Sequence, residues 1–277
     1  MAALNLKKQI GITAGVLAGA AAALVALNTD SLAARGGQQR SSVSAARSTP
    51  IAGTPVLVEL FTSEGCSSCP PADDLLRELQ SRQPVAGARI IALSEHVDYW
   101  NSLGWKDPYS SADYSARQSE YARAFKNDQV YTPQIVVDGR VEFVGSDRSA
   151  ARAAIARAAK QEKVTVRLAS RGDSFAVSVP KLPKGAGPSD VYAAVTEENL
   201  TSSVSRGENS GRRLTHTAVA RQLVRIGAVD PGKPFEGTFR PGGARSRAVR
   251  NVVAFVQERG TRHILGVAET PSVASAG

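Results

Sequence analysis

The chain has few cysteines and few aromatic residues, and it has no internal repeat. Of its 277 residues, two are cysteine and 5% are aromatic. Structural zinc sites usually need four ligands, and the only Cys-x-x-Cys pair, Cys66 and Cys69, supplies two. Arginines scattered among apolar residues, with few aromatics between them, argue against nucleic-acid binding. We therefore expect no nucleic-acid partner and no cofactor.

The cysteine pair lies between a predicted strand and a predicted helix. An apolar run at 56–61 precedes it, and a helix-like segment at 73–79 follows it. The unpaired N–H groups and the dipole at a helix N-terminus stabilise thiolate over thiol, which makes a cysteine reactive. The pattern predicts that Cys66, nearer the strand end and more exposed, is the attacking thiolate. Cys69 would then resolve the mixed disulfide.

Two other interpretations of the pair stay open. A structural disulfide over so short a loop would stabilise the fold by about 2 kcal/mol, against about 3 for a fifteen-residue loop. The protein would then be a non-catalytic binding module. Thiolates and imidazole also suit copper, so Cys66, Cys69 and His96 are candidate ligands of a copper-handling protein.

The first 34 residues predict export. Lys7 and Lys8 precede an apolar or small stretch at 10–27, and small residues at 31–34 suit cleavage; the paired arginines of the twin-arginine route are missing. The stretch is also nearly long enough for an uncleaved membrane anchor, the only membrane contact expected. A bacterial periplasmic or extracellular location is oxidising, so the pair should rest as a disulfide. Envelope protein thiols or disulfides are the expected partners.

The remaining chain divides by composition. Residues 35–53 predict a flexible tether, 54–163 an α/β thioredoxin-like domain, 164–270 a mainly β, sandwich-like domain, and 271–277 a tail.

A charge step coincides with the predicted domain boundary. Residues 55–163 carry a net charge of −2, and residues 164–277 carry +7. This step and the change of periodicity near Lys163 suggest separate cores, so that 50–163 would fold alone. The alternative is that the β domain covers an apolar face of the first domain and neither is stable alone.

The first half predicts the element order β-α-β-α-β-β-α of the thioredoxin fold. The predicted strands are 56–61, 89–94, 134–137 and 141–144, and the predicted helices run to about 82, over 111–125 and over 148–161. Ser146 and Asp147 are predicted to cap the last helix. Thr132 and Pro133 stand just before the third strand, where thioredoxin-like proteins place a cis-proline beside the dithiol. They are predicted to shape the substrate site. The alternative is a trans-proline that starts a strand.

A polar and aromatic loop follows the second strand. A loop at the carboxyl end of a sheet strand shares the sheet edge with the dithiol. Tyr99 and Trp100 are therefore candidate substrate-binding residues, and Glu95, His96 and Asp98 are candidate accessory groups. The alternative is aromatic packing with a hydrogen-bonded, structural His96.

The second half predicts about seven short strands of a β-sandwich. The segments are 164–168, 175–179, 191–195, 215–226, 235–240, 251–257 and 263–267. A polar loop at 208–216 is either a simple connection or a segment that faces the dithiol and helps to hold a partner.

Several separated motifs resemble one known group. They are residues 58–73, 96–100, 104–105 and 130–134. In this order they resemble an exported thioredoxin-like family of the thioredoxin superfamily, catalogued as domain of unknown function 1223. The resemblance covers about 55–268 and implies the fold and an envelope location, but no established activity. Ser-Ser replaces the usual Gly-Pro spacer of thioredoxin, so a redox potential is not carried across.

Overall fold

The computed structural model describes residues 52–242 and 250–270. The predicted segment 1–34, most of the tether and the tail at 271–277 lie outside these residues. The helices are α1 (Pro70–Arg82), α2 (Ala112–Phe125) and α3 (Arg148–Ala158), with a short 3-10 turn at Asn101–Leu103. None of the helices in the described ranges is long and apolar enough to span a bilayer.

Thirteen strands are formed by the described residues. They are β1 (Thr54–Thr62), β2 (Ala88–His96), β3 (Gln134–Val137), β4 (Val141–Val144), β5 (Arg167–Arg171), β6 (Ser174–Val179), β7 (Ser189–Glu197), β8 (Leu200–Ser203), β9 (Arg213–His216), β10 (Val219–Val229), β11 (Phe235–Phe239), β12 (Arg250–Glu258) and β13 (Ile264–Glu269).

The first half follows the predicted order of elements. β1 pairs in parallel with β2 and antiparallel with β3, and β3 pairs antiparallel with β4. Both faces of β1 are buried: Val58 and Leu60 pack with α1 and α3, whereas Phe61 packs with Tyr121 of α2. The predicted cap Asp147 accepts a hydrogen bond from Ala150 N at the start of α3. That this half is a thioredoxin-like domain stays a prediction.

Strands from both halves join one sheet. Its order is β13-β12-β7-β10-β2-β1-β3-β4, so β10 lies beside β2. The junction is short: Val219 pairs with Ser94, whose N–H donates to Ala218 O at 2.8 Å. The sequence missed β8 and predicted one strand over 215–226. That strand is interrupted at Ala218, whose φ of 49° is outside the extended region.

The second half also forms two smaller sheets, β11-β6-β5 and β8-β9. Phe175 of β6 and Phe239 of β11 pack on Val195 of β7 and Val252 of β12. The three-stranded sheet therefore covers one face of the second-half strands, as apolar residues on alternate positions require. A separate β-sandwich-like domain stays a prediction.

The two halves share a hydrophobic cluster. Leu57 and Ile91 of the first half pack with Ala194 and Phe255 of the second. Tyr114 lies in the same cluster, and its hydroxyl donates to Ala220 O at 2.8 Å. This packing favours the alternative in which the second half covers an apolar face of the first.

A buried ionic network also crosses between the halves. The Arg117 guanidinium donates from Nε to Glu59 Oε1 at 2.8 Å and from NH1 to Gln257 Oε1 of β12 at 3.0 Å. Its Nε lies 3.4 Å from Glu95 Oε1. Burial raises the pKa of Glu95 well above its ordinary value, and the charge of Arg117 opposes the shift. Losing the second half would remove Gln257 from the Arg117 guanidinium.

Candidate functional site

The cysteine pair forms a disulfide where β1 gives way to α1. Cys66 and Cys69 are bonded, with their Cα atoms 5.4 Å apart. Cys69 is the residue that caps α1, and the Cys66 sulfur lies 3.3 Å from the Ser68 hydroxyl. Both cysteines are buried, at 1% and 0% exposure, while Ser67 and Ser68 are exposed. The expected greater exposure of Cys66 is therefore wrong in this state.

The turn of the β8–β9 hairpin lies against the cysteine segment and is hydrogen-bonded to its main chain. We call residues 204–212 the covering loop. Its Asn209 Nδ2 donates to Glu64 O and to Cys66 O, both at 2.9 Å. Ser67 N donates to Glu208 Oε2 at 3.0 Å. The polar segment singled out in the sequence therefore does face the dithiol.

The covering loop is also held from its other side. Gly207 has φ +76°, and a Cβ there would lie 3.3 Å from Trp105 Cβ and 3.5 Å from Leu103 O. Glycine therefore suits both the backbone conformation and the close approach of the loop to the Trp105 segment. Any reagent that attacks the sulfurs must first displace this loop or enter beside it.

A buried acid and histidine cluster lies next to the dithiol segment. Glu64 Oε1 lies 3.1 Å from His216 Nε2 and accepts a hydrogen bond from Ser202, while Trp105 Nε1 donates to Glu64 Oε2 at 2.8 Å. Asp73 Oδ1 of α1 lies 3.7 Å from His216 Nδ1. Burial disfavours the charged imidazole, but the neighbouring carboxylates of Asp73 and Glu64 outweigh it and raise the pKa of His216 to about 10.

His96 belongs to the same cluster. Its Nδ1 lies 2.7 Å from Asp107 Oδ2, which also accepts from Glu64 N at 2.8 Å. Burial opposes ionisation of Asp107, but His96 and backbone N–H groups lower its pKa below the ordinary value. The His96 and His216 ring centroids are 4.7 Å apart in an edge-to-face arrangement. His96 therefore contacts a second histidine that the sequence did not pair with it.

Part of the predicted substrate-binding set surrounds the dithiol segment. Trp100 Nε1 donates to Thr132 Oγ1 at 2.8 Å. Trp100 also packs on Gly65, where a Cβ would lie 3.0 Å from Trp100 Cβ. The Thr132–Pro133 peptide is cis, as expected. Tyr99 is 38% exposed and donates to Gln118 Oε1 at 3.2 Å. A substrate-binding role for these residues stays a prediction.

Two predicted accessory groups lie elsewhere. Successive side chains of a strand point to opposite faces, so Glu95 faces the Arg117 network while His96 faces the acid cluster. Asp98 accepts from Ser115 Oγ at 2.5 Å and so binds the start of the aromatic loop to α2. Neither contact connects the residue to the cysteines.

No group of three or more His, Cys, Asp or Glu side chains in residues 52–242 and 250–270 is arranged to hold a metal ion. The predicted trio of Cys66, Cys69 and His96 is therefore not assembled as a metal centre in this state. The copper-handling alternative stays a prediction about the reduced protein.

Sequence reasoning missed most of the buried cluster. Glu64 and Asp73 lie within the motif around the cysteines, but both look like ordinary polar residues there. His216 is distant in sequence, and nothing in the pattern indicates that β9 packs beside α1. The signal available was the rarity of histidine: three residues in the chain, two of which meet here.

The buried His216 predicts a loss of stability at alkaline pH. Its folded pKa is raised above the unfolded value of about 6.5, so its contribution is complete below that pH and is lost as pH rises toward 10. We expect the difference in unfolding free energy between wild type and His216→Gln to shrink by roughly 4 kcal/mol over this range. Denaturant titrations from pH 6 to pH 10 measure it. His263→Gln is the control, because burial lowers the pKa of His263. Parallel curves for wild type and His216→Gln would contradict the assignment.

The fold and site together define a mixed-sheet α/β protein with a Cys-x-x-Cys disulfide at a strand–helix junction, covered by a hairpin. The chain belongs to the DUF1223 family, described as a protein of unknown function, whose model matches residues 57–257. No curated protein matches the chain.

A solved structure is similar to this chain over most of its length. Protein AGR_C_4864 from Agrobacterium tumefaciens is 27% identical over 81% of this chain and 96% of its own, with a TM-score of 0.64. A domain of the outer membrane lipoprotein Omp28 from Porphyromonas gingivalis is 14% identical, covering 39% of this chain and 87% of its own at a TM-score of 0.24. The second likeness is too weak to carry an argument.

Proposed function

We propose that the protein is an exported, thioredoxin-like protein that exchanges thiols and disulfides with envelope partners through Cys66 and Cys69. The observation that carries the proposal is the disulfide itself, at the start of α1. The helix N-terminus favours a thiolate there. The Ser68 hydroxyl, 3.3 Å from the Cys66 sulfur, is placed to donate a hydrogen bond to a Cys66 thiolate.

The exchange takes place in two steps. A partner thiolate attacks Cys66 Sγ, the bond between the cysteines breaks, and Cys69 leaves as a thiolate. A second partner thiolate then attacks the mixed disulfide and releases Cys66, so the partner is oxidised and the pair is reduced. In the reverse direction, the Cys66 thiolate attacks a partner disulfide, and Cys69 resolves the product. Trp100, Thr132 and Pro133 are proposed to shape the partner site.

The burial of both sulfurs favours a second candidate, a binding module with an inert disulfide. Both cysteines are almost inaccessible, and the covering loop is hydrogen-bonded to their segment. In that case removing the disulfide would reduce stability by about 2 kcal/mol and abolish no activity.

Trapping separates the two candidates. We expect Cys69→Ala, expressed with its export segment, to accumulate mixed disulfides through Cys66, because the resolving thiol is missing. These species are detected as reductant-sensitive bands on a non-reducing gel. Cys66→Ala/Cys69→Ala should give none, which controls for adventitious aggregation. A clean gel for folded Cys69→Ala at normal expression would favour the inert disulfide.

The reduction potential gives the direction of exchange. A value near −120 mV would indicate an oxidant of partner thiols, and one near −270 mV a reductant or carrier. Equilibration with a glutathione redox buffer, followed by thiol alkylation, measures it.

A further inference from the structure

A small cavity lies between the start of α1 and β9. It has a volume of about 180 Å³, and its wall includes Pro70, the residue directly after Cys69. Ligand pockets usually measure about 300–1,000 Å³, so this cavity has room for one end of a molecule. Because Pro70 follows Cys69 directly, the cavity adjoins the end of the dithiol segment.

Two buried polar groups in the cavity wall make no hydrogen bond. His216 Nδ1 and Asp73 Oδ1 form an ion pair 3.7 Å apart, too far for a hydrogen bond, and their side chains are 1% and 7% exposed. Buried polar groups are nearly always hydrogen-bonded, and leaving one without a hydrogen bond costs about 1–3 kcal/mol. His216 Nδ1 therefore favours an occupant that accepts a hydrogen bond from it, whereas Asp73 opposes a second negative charge.

The rest of the wall is rich in arginine. Arg77, Arg212 and Arg213 line the cavity with the His216 imidazole, against two aspartates, Asp73 and Asp74. Arg77 is paired with Asp74. Arg213 has no ion pair within 52–242 and 250–270, so its guanidinium is available to an anion. Guanidinium groups bind carboxylates with two parallel hydrogen bonds.

One arginine connects the cavity to the covering loop. Arg212 NH1 donates to Asn209 Oδ1 at 2.9 Å, and Asn209 Nδ2 donates to Cys66 O. An anion that engages Arg212 competes with Asn209 for this guanidinium. Occupation of the cavity would therefore loosen the group that covers the disulfide.

We propose that the substrate carries a carboxylate close to its reacting sulfur, and that this cavity binds the carboxylate. The inference rests on the proposed thiol–disulfide exchange and names its substrate class. The substrate thiolate attacks Cys66 Sγ, Cys69 leaves as a thiolate, and a second substrate thiol completes the reduction and leaves as the substrate disulfide. The carboxylate comes from a small thiol or from an acidic residue beside a partner's cysteine.

The test compares thiols of different charge. The rate at which each thiol reduces the Cys66–Cys69 bond is divided by the thiolate concentration. It is then divided by the rate at which the same thiol reduces a simple reference disulfide, which gives a corrected rate. We expect the corrected rate of mercaptopropionate to exceed that of mercaptoethanol by about fivefold, which is the effect of one partly exposed ion pair. It should exceed that of cysteamine by more. The preference should decrease in high salt, which screens such pairs. Propionate, which has no thiol, should slow reduction by mercaptopropionate more than reduction by mercaptoethanol.

Variants locate the effect. Arg213→Gln should abolish the preference, while Arg171→Gln, which replaces an exposed arginine outside the cavity, should retain it. Short peptides with Asp-Cys and Asn-Cys form a second arm. A preference for Asp-Cys alone assigns the carboxylate to a protein partner, and a preference for mercaptopropionate alone assigns it to a small thiol. Equal corrected rates for all thiols would overturn this inference and leave the exchange function intact. Failure of every thiol to reduce the folded protein would overturn both.

Discussion

Asn209→Ala should make the Cys66–Cys69 disulfide about 30-fold faster to reduce. The substitution removes two buried hydrogen bonds, to Glu64 O and Cys66 O, each worth about 1 kcal/mol. If attack requires the covering loop to open, the opening free energy falls by their sum. The measurement is the pseudo-first-order rate of reduction by a neutral dithiol, monitored by thiol alkylation and mass spectrometry.

A neighbouring residue supplies the matched control. Ser210 lies in the same loop, but its hydroxyl donates to Ser205 O within the loop. Ser210→Ala should therefore reduce at the wild-type rate. An unchanged rate for folded Asn209→Ala would show that reductants reach the sulfurs by a route that does not involve the covering loop.

The first half expressed alone, residues 50–163, should lack a cooperative fold. It would expose the cluster that Phe255 and Ala194 cover, and it would leave β2 without β10. The Arg117 guanidinium would also lose Gln257, while Glu59 and Glu95 stay close to it. A hydrogen bond to a charged group contributes about 1.5–3 kcal/mol, and its loss adds to the cost of the exposed apolar cluster, against a total stability of about 5–15 kcal/mol for a domain.

Circular dichroism and thermal unfolding measure this, with residues 50–277 as the control. The expected result is retained far-UV signal, lost near-UV signal and a broad, non-cooperative transition for the fragment. A sharp transition with native near-UV signal would show that the first half has a sufficient core of its own.

The elements of the first half could be predicted because their signals are local. Apolar runs bounded by turn residues located β1 to β4, and Asp147 marked the start of α3. The association of the two halves could not be predicted in this way. β10 joins β2 through a single residue pair, Val219 and Ser94, and no local pattern specifies which strand covers an edge 125 residues away.

The candidate site likewise has residues that local sequence signals could predict and residues that they could not. Cys66 and Cys69 are recognisable by their spacing, and the cis Thr132–Pro133 peptide was expected from its place in the thioredoxin-like order of elements. Asn209 and His216 come from a hairpin whose docking is a tertiary event. The predicted exposure of Cys66 was wrong for this reason, since exposure depends on what packs over a residue.

The covering loop is bound through the main chain of the cysteine segment. Its contacts are to the carbonyl oxygens of Glu64 and Cys66 and to the N–H of Ser67. The Ser68 side chain takes no part in these bonds, whereas the Ser67 side chain also contacts Glu208. The second spacer position can therefore be changed, for instance by engineering, without detaching the hairpin. Spacer identity would then set the equilibrium between the oxidised and reduced pair, and the hairpin would independently set how quickly that equilibrium is reached.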